Sequence, residues 1–288
     1  MANVRDIRRR IRSVRNTQQV TKAMKMVAAA KLRRSQERIL ATRPYANQMR
    51  TVLSNLAARA NPELHPLLAV REELKVELLV VTADKGLCGG FNTNIIKRTT
   101  LFMEELRAAN TEREITMQLV GRKGRDFFRR RGKTISGEHV DLFRNLKYDD
   151  AAAIARELVK RYVEQQLDAV YLIYNEFKSV IQQKVVVERL LPIERREVEP
   201  SAVLQDYIYE PSPQALFDTL LTRHVEFQVL RALYESAAGE FGARMSAMDA
   251  ATRNADEMIR SLTLNMNRAR QASITKEIIE VVSGAEAT

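Results

Sequence analysis

The chain has 288 residues, 45% hydrophobic and 29% charged, with no Trp. That composition excludes a disordered tail and a collagen-like fibre. One Cys (Cys88) and three scattered His (His65, His139, His224) exclude a disulfide framework and a Cys- or His-built metal cluster. The net charge of +11 is wholly local, because residues 1–43 hold 13 Lys/Arg against two acids, Asp6 and Glu37. An Arg-rich, acid-poor start resembles a transit peptide, but this one is not Ser-rich and its apolar pattern runs on without a processing break. No apolar run approaches the length of a bilayer-spanning helix.

In chain order, the first element predicted is a helix over residues 3–57. Asn3 and Asp6 have the spacing of a capping box, and Val4, Ile7, Ile11 and Val14 recur at three–four intervals. Polar residues interrupt from Arg15 to Gln19. The stripe then resumes through Met24, Ala28, Leu32, Ile39, Met49, Leu53 and Leu56. Pro44 is the expected kink, and Pro62 and Pro66 mark the end.

Seven of the ten Gly fall between Gly86 and Gly137, so the middle of the chain is punctuated where the ends are not. Short apolar runs at Glu77–Thr82, Ile115–Val120 and Asp168–Tyr174 read as buried strands. Amphipathic helices over Thr93–Ala108, Arg122–Arg131 and Asp149–Gln166 alternate with them, and Val180–Leu191 reads as a closing strand. The alternation predicts a parallel, Rossmann-like sheet with right-handed crossovers.

The last element has Ser212 as N-cap and Pro213 in its first turn. Its apolar seam is Phe227, Leu230, Tyr234, Ala237, Phe241, Met245, Met248, Ala251, Ala255, Met258, Leu262, Met266 and Ala269, a mean spacing of 3.5. That is the period of a left-handed supercoil, not of a lone surface helix. Gly284 is the expected C-cap. The fold class is therefore α+α/β, an antiparallel coiled coil of the terminal helices around a Rossmann-like domain. The domain boundaries expected are 1–60, 75–195 and 212–284.

The segment Thr82 to Asn92 lies between strand and helix, where a phosphate loop would sit, but it matches neither nucleotide fingerprint and reads better as a structural turn. Cys88 has only Lys85 near it, which argues against a catalytic thiol. The pairs Glu72-Glu73, Glu104-Glu105 and Asp149-Asp150 are sequence neighbours, a poor geometry for acid/base work on a helix, and read as solvated surface. No active site of any class is legible.

The basic N-terminal helix suits an acidic protein partner or a solvated face. Its apolar stripe runs through the charge, and it has no aromatic before Tyr45 to stack on bases or anchor in lipid. At 1.5 Å per residue the two terminal helices would be about 80 and about 105 Å long, so the second overshoots the first by about 15 residues. The overshoot carries Ile274, Ile278, Ile279, Val281 and Val282, which need a socket in another protein. The physical reading is a shaft-like interaction protein. Its rivals are a nucleotide- or nucleic-acid-binding α/β protein with coiled-coil arms, and an enzyme whose site is not legible.

The run Asn16 to Leu32 (NTQQVTKAMKMVAAAKL), the ending Arg270 to Ala285 (RQASITKEIIEVVSGA), Asp84 to Asn92 (DKGLCGGFN) and Tyr207 to Pro211 (YIYEP) closely resemble the γ-subunit family of bacterial F-type ATP synthases, a likeness that covers the whole chain. The resemblance implies a non-catalytic central rotor shaft. Its coiled coil would sit in a head of α and β subunits and its base on the ε subunit and the membrane c-ring, at the cytoplasmic face of the cell membrane. It also implies that ATP, ADP and Mg bind the partners, that this chain binds no cofactor, and that no nucleic acid is involved. By the same resemblance Met24 and Lys25 touch a β-subunit lever loop, Lys25 standing where many relatives have Glu. Arg270 and Gln271 engage a second β loop, and Tyr207 and Glu210 face ε and the ring. Ile274, Ile278, Ile279 and Val282 form the helix tip in the α/β socket. The cysteine insertion of chloroplast relatives is missing, so thiol control is not expected.

Overall fold

A computed structural model describes residues 4–57, 65–179, 183–193 and 212–286. The chain divides into two units, residues 1–29 with 244–288, and residues 30–243. The α-helices and strands described are α1 (Val4–Ala57), β1 (Lys75–Val81), α2 (Phe91–Ala109), β2 (Glu114–Val120), α3 (Arg122–Arg129), β3 (Ile135–His139), α4 (Tyr148–Val163), β4 (Ala169–Phe177), β5 (Gln183–Leu191) and α5 (Pro213–Glu286). The Asn3 cap and Pro62 lie outside the described residues.

In the first unit the start of α1 runs antiparallel to the end of α5. Gln18 bonds Asp256, Thr21 bonds Thr252 and Lys25 bonds Asp249, so seven residues up one helix match seven down the other. That is one heptad per helix. Ile7, Ile11, Ala28, Met248 and Ala255 are buried on the same seam. Gln18, inside the polar interruption of the α1 stripe, is thus part of the seam, as are Thr21 and Lys25 beyond it. One predicted seam residue is misplaced. Met258 is 53% exposed, and its neighbour Ile259 is half-buried.

Extending this register sets Ile11 beside Leu262 and Thr263. Cysteines at Ile11 and Leu262 should therefore crosslink, since a disulfide needs Cα atoms within about 7 Å. Distance measurements between labels on the two cysteines provide the check, and a separation above ~20 Å would refute the pairing.

The second unit holds a five-stranded sheet in the order β3-β2-β1-β4-β5. The first four strands are parallel and β5 is antiparallel to β4, so the sheet is mixed. The edge strand β3 was not predicted. Its sequence, ISGEH, carries one large apolar residue and alternates half-buried with exposed positions, so it lacks the signal of a buried strand. Both sheet faces are covered. Leu79, Val81, Val170, Leu172 and Tyr174 face a core built with α4 and α5, whereas Val76, Leu78, Val80, Tyr171 and Ile173 face one built with α2. Strand residues alternate between faces, which is why β1 and β4 are apolar at almost every position.

Glu77 of β1 is fully buried. Its carboxylate accepts from Thr116 at 2.6 Å, from Arg161 at 3.0 Å and from Ser136, as a buried charge requires. Gly121, joining β2 to α3 with φ +87°, has no substitute, because a Cβ there would lie 2.1 Å from the Thr82 carbonyl oxygen.

Within this unit α1 and α5 also pair in antiparallel heptads. Lys31 lies over the Phe241 ring, Arg38 over Tyr234, and Tyr45 stacks on Phe227, each step seven residues on both helices. α5 packs simultaneously on the sheet through Phe217, Leu221, Val225, Val229 and Leu233. Ser212 caps it, accepting from the Ala215 amide at 3.2 Å. The helix runs through Gly284 to Glu286, so Gly284 is not its C-cap. α1 likewise runs through Pro44 to Ala57.

Candidate rotor interface

The seam of the first unit ends sharply. Ala269 is half-buried, and every residue from 270 to 283 is exposed. In the observed register Ala269 lies level with Val4, the first described residue of α1. Ile274, Ile278, Ile279, Val281 and Val282 are 49 to 72% exposed. Four branched apolar side chains within five residues, on a helix that covers none of them, form a patch that water disfavours. Arg270 and Gln271 sit at the step where the seam stops. Both are exposed, and among the described residues Arg270 makes no ion pair.

From its first turn onward the surface of α1 is basic. Arg5, Arg8, Arg9, Arg10, Arg12 and Arg15 are all exposed, while Ile7 and Ile11 between them are buried. Charge and seam therefore share one stretch of helix on different faces. Met24 is half-buried. Lys25 donates to Asp249 at 2.5 Å, and that bond, with Arg253 also beside it, holds the Asp249 carboxyl below the usual carboxylate range. The structure thus gives Lys25 an acidic partner inside its own chain.

The turn from β2 into α3 is closed by the chain's own groups. The first amides of α3 are taken: Arg122 N–H donates to Asp84, Lys123 N–H to the Ala83 carbonyl, and Gly124 N–H to the Thr82 hydroxyl. The Asp84 carboxylate also accepts from the Asp141 amide at 3.0 Å, occupying the place where an anionic ligand would be drawn. In the preceding loop, Asn92 accepts from the Ala83 amide and donates to the Lys85 carbonyl, closing a turn in which Leu87 has φ 63°. The segment is a self-satisfied structural turn. Cys88 lies buried inside it.

A family model described as ATP synthase matches residues 3–288. The chain belongs to the ATP synthase gamma-chain family. It is 56% identical to the ATP synthase gamma chain of Solibacter usitatus, over 100% of this chain and 99% of that one. The gamma chain of Anaeromyxobacter sp. (strain Fw109-5) is 54% identical with the same coverage. Among solved structures, a chain from the Tetrahymena thermophila mitochondrial ATP synthase central stalk and c-ring superposes with a TM-score of 0.60 at 27% identity, covering 81% of this chain and 99% of that chain. A chain from the Euglena gracilis mitochondrial ATP synthase gives 0.69 at 18% identity, covering 99% and 94%, and shares the fold.

Of the residues that the gamma-chain resemblance assigned, the first unit holds Met24 and Lys25 on α1, level with Asp249, and Arg270, Gln271 and the apolar tip at the far end of α5, well apart from them. Tyr207 and Glu210 lie outside the described residues. Among the described residues no helix is long and apolar enough to cross a membrane, and no group of three or more His, Cys, Asp or Glu could hold a metal ion.

Two features escaped the sequence. Glu73, read there as solvated, is 15% exposed at its side chain. It accepts from Arg113, from Arg189 at 2.6 Å and from the Tyr171 hydroxyl at 2.9 Å. Glu226 is 2% exposed and accepts from Tyr148 and Arg156 of α4. These partners lie 40 to 116 residues away in sequence, and no local pattern could have announced them.

Proposed function

We propose that this chain transmits rotation mechanically, performing no bond-making chemistry itself, and that the step at Ala269–Arg270 is where force leaves it. Within an ATP synthase, a subunit of this family is the rotor of the central stalk. In this reading the exposed helix end beyond Ala269 seats in a socket of the α/β head, and the α/β base joins the ε subunit and the membrane c-ring. The nucleotides and Mg belong to the partners, and the complex works at the cytoplasmic face of a bacterial cell membrane. The observation that carries the reading is the unpartnered apolar tip on a heptad-paired shaft.

A rotor can bias a catalytic site only through contacts that differ between angular positions. An asymmetric pair of helices supplies them. One side carries the arginines of α1, and one end carries Arg270 and Gln271. Met24 and Lys25 would touch a β lever loop, Arg270 and Gln271 a second loop, and Tyr207 and Glu210 the ε subunit and ring. Exposed charges suit a turning surface because each pair is worth only about 0.2–1 kcal/mol, so no single angle becomes a deep trap.

The socket reading makes a direct prediction. Ile274→Asp with Ile278→Asp leaves the isolated chain folded, since both side chains are exposed. In the socket each Asp would be buried without a partner, a cost of several kcal/mol. The variant should therefore assemble with purified α and β subunits at least about 100-fold more weakly. Assembly at the parental level would sink the reading.

A further inference from the structure

A cavity of about 630 Å³ opens among α1, α4 and α5 in the second unit, within the size range of small-ligand sites. Its walls are aromatic. The Tyr45 and Phe227 rings lie 4.6 Å apart, and Tyr148 stands across from them on α4. Tyr45 and Tyr148 are 44 and 38% exposed, so the fold leaves large ring surface uncovered here.

The polar groups sort themselves by what they have already bonded. Both oxygens of Glu226 are engaged, one taking the Tyr148 hydroxyl and the other Arg156 Nε at 2.6 Å. Burial and that bond push the Tyr148 phenol up to about 12, so it stays a donor at neutral pH. Thr42, Thr219 and Thr222 give their hydroxyl protons to the carbonyls of Ile39, Ala215 and Asp218 on their own helices. What is left over is cationic. Arg223 is exposed and makes no ion pair among the described residues, and only Nε of Arg156 is committed. Two guanidiniums against one carboxylate leave the lining with one positive charge in excess.

We propose that this cavity binds a small aromatic monoanion, a carboxylate carried on a flat ring. The ring would lie among Tyr45, Tyr148 and Phe227, in the offset or edge-on geometries that aromatic pairs favour. The carboxylate would take the fork of Arg223 and the free edge of Arg156, a planar match that a lysine could not make. One negative charge balances the lining. A cation would meet like charge, and a dianion would leave a charge unmatched in a half-desolvated cleft.

The test titrates the full chain with indole-3-acetate, with indole-3-acetamide and with tryptamine, followed by calorimetry and NMR. The three share a ring and differ in charge. The acid should bind saturably at one site, with the amide and the amine at least about tenfold weaker, since both lose the charge-assisted bonds. Arg223→Gln should weaken the acid by about tenfold and leave the amide unchanged, with the circular dichroism of the parent. Arg8→Gln with Arg9→Gln should change neither, which separates the cavity from general attraction to the basic end of α1. Three results would overturn the proposal: equal binding of acid and amide, no saturation below ~10 mM, or an Arg223→Gln variant that binds the acid as well as the parent.

Discussion

Arg270→Leu should lower ATP turnover of the assembled complex by about an order of magnitude or more. Arg270 is exposed at the residue where the α5 seam ends, so its removal costs the isolated chain nothing in packing. In the complex it would present a planar fork to a carboxylate or a backbone carbonyl, and leucine keeps the bulk but donates no hydrogen bond. If that contact is stronger in one rotor angle than in the next, losing it raises the barrier of a conformational step, and such steps often limit turnover. Each factor of ten in rate is about 1.4 kcal/mol, the size of a single charge-assisted hydrogen bond. Steady-state ATP hydrolysis by complexes matched for subunit content provides the measurement. Parental turnover in a correctly assembled complex would remove Arg270 from the force path.

The second large effect concerns pH. Burial pushes the Glu235 carboxyl up to about 7, with Glu176 and Glu188 adding to the rise against the pull of Arg231 and the Phe177 amide. One of its carboxylate oxygens is buried without a hydrogen-bond partner among the described residues. The folded chain therefore prefers this group protonated. Its contribution to stability is fully present below the unfolded value near 4.5, falls away as pH rises toward about 7, and is gone above that. Glu235→Gln imitates the protonated form at every pH. The variant should match the parent near pH 4.5 and unfold several degrees higher at pH 8. Thermal unfolding of parent and variant across that range is the check, and a difference that does not grow with pH would refute it.

The apolar tip was legible because one continuous helix displays it, whereas Arg270 and Gln271 were named by the family resemblance alone. A seam with a 3.5-residue period that outlasts its partner must end somewhere, and the overshoot follows from two lengths. The pairing of α1 with α5 is written the same way, since Lys31, Arg38 and Tyr45 meet Phe241, Tyr234 and Phe227 at heptad intervals on both strands of the pair. The Thr82–Asn92 turn was legible as structural because its glycines fit no phosphate fingerprint, and the Asn92 bonds supply the reason it closes.

By itself, the sequence determined the terminal helices, the heptad seam, the buried strands β1, β2 and β4, the unpartnered tip and the concentration of charge on α1. All of these are periodic or local, and hydrophobic spacing records them directly. Only the tertiary structure decided that the closing strand runs antiparallel, the unsignalled edge strand β3, the exposure of Met258 in favour of Ile259, and the pairing of Lys25 with Asp249. It alone also showed that Asp84 occupies the anion position at α3, and that Glu73, Glu77 and Glu226 are neutralised in the interior. A carboxylate looks the same in sequence whether water or an arginine satisfies it. The partner is chosen by the fold, because burying a charge is tolerable only where the chain brings an opposite charge or several donors to meet it.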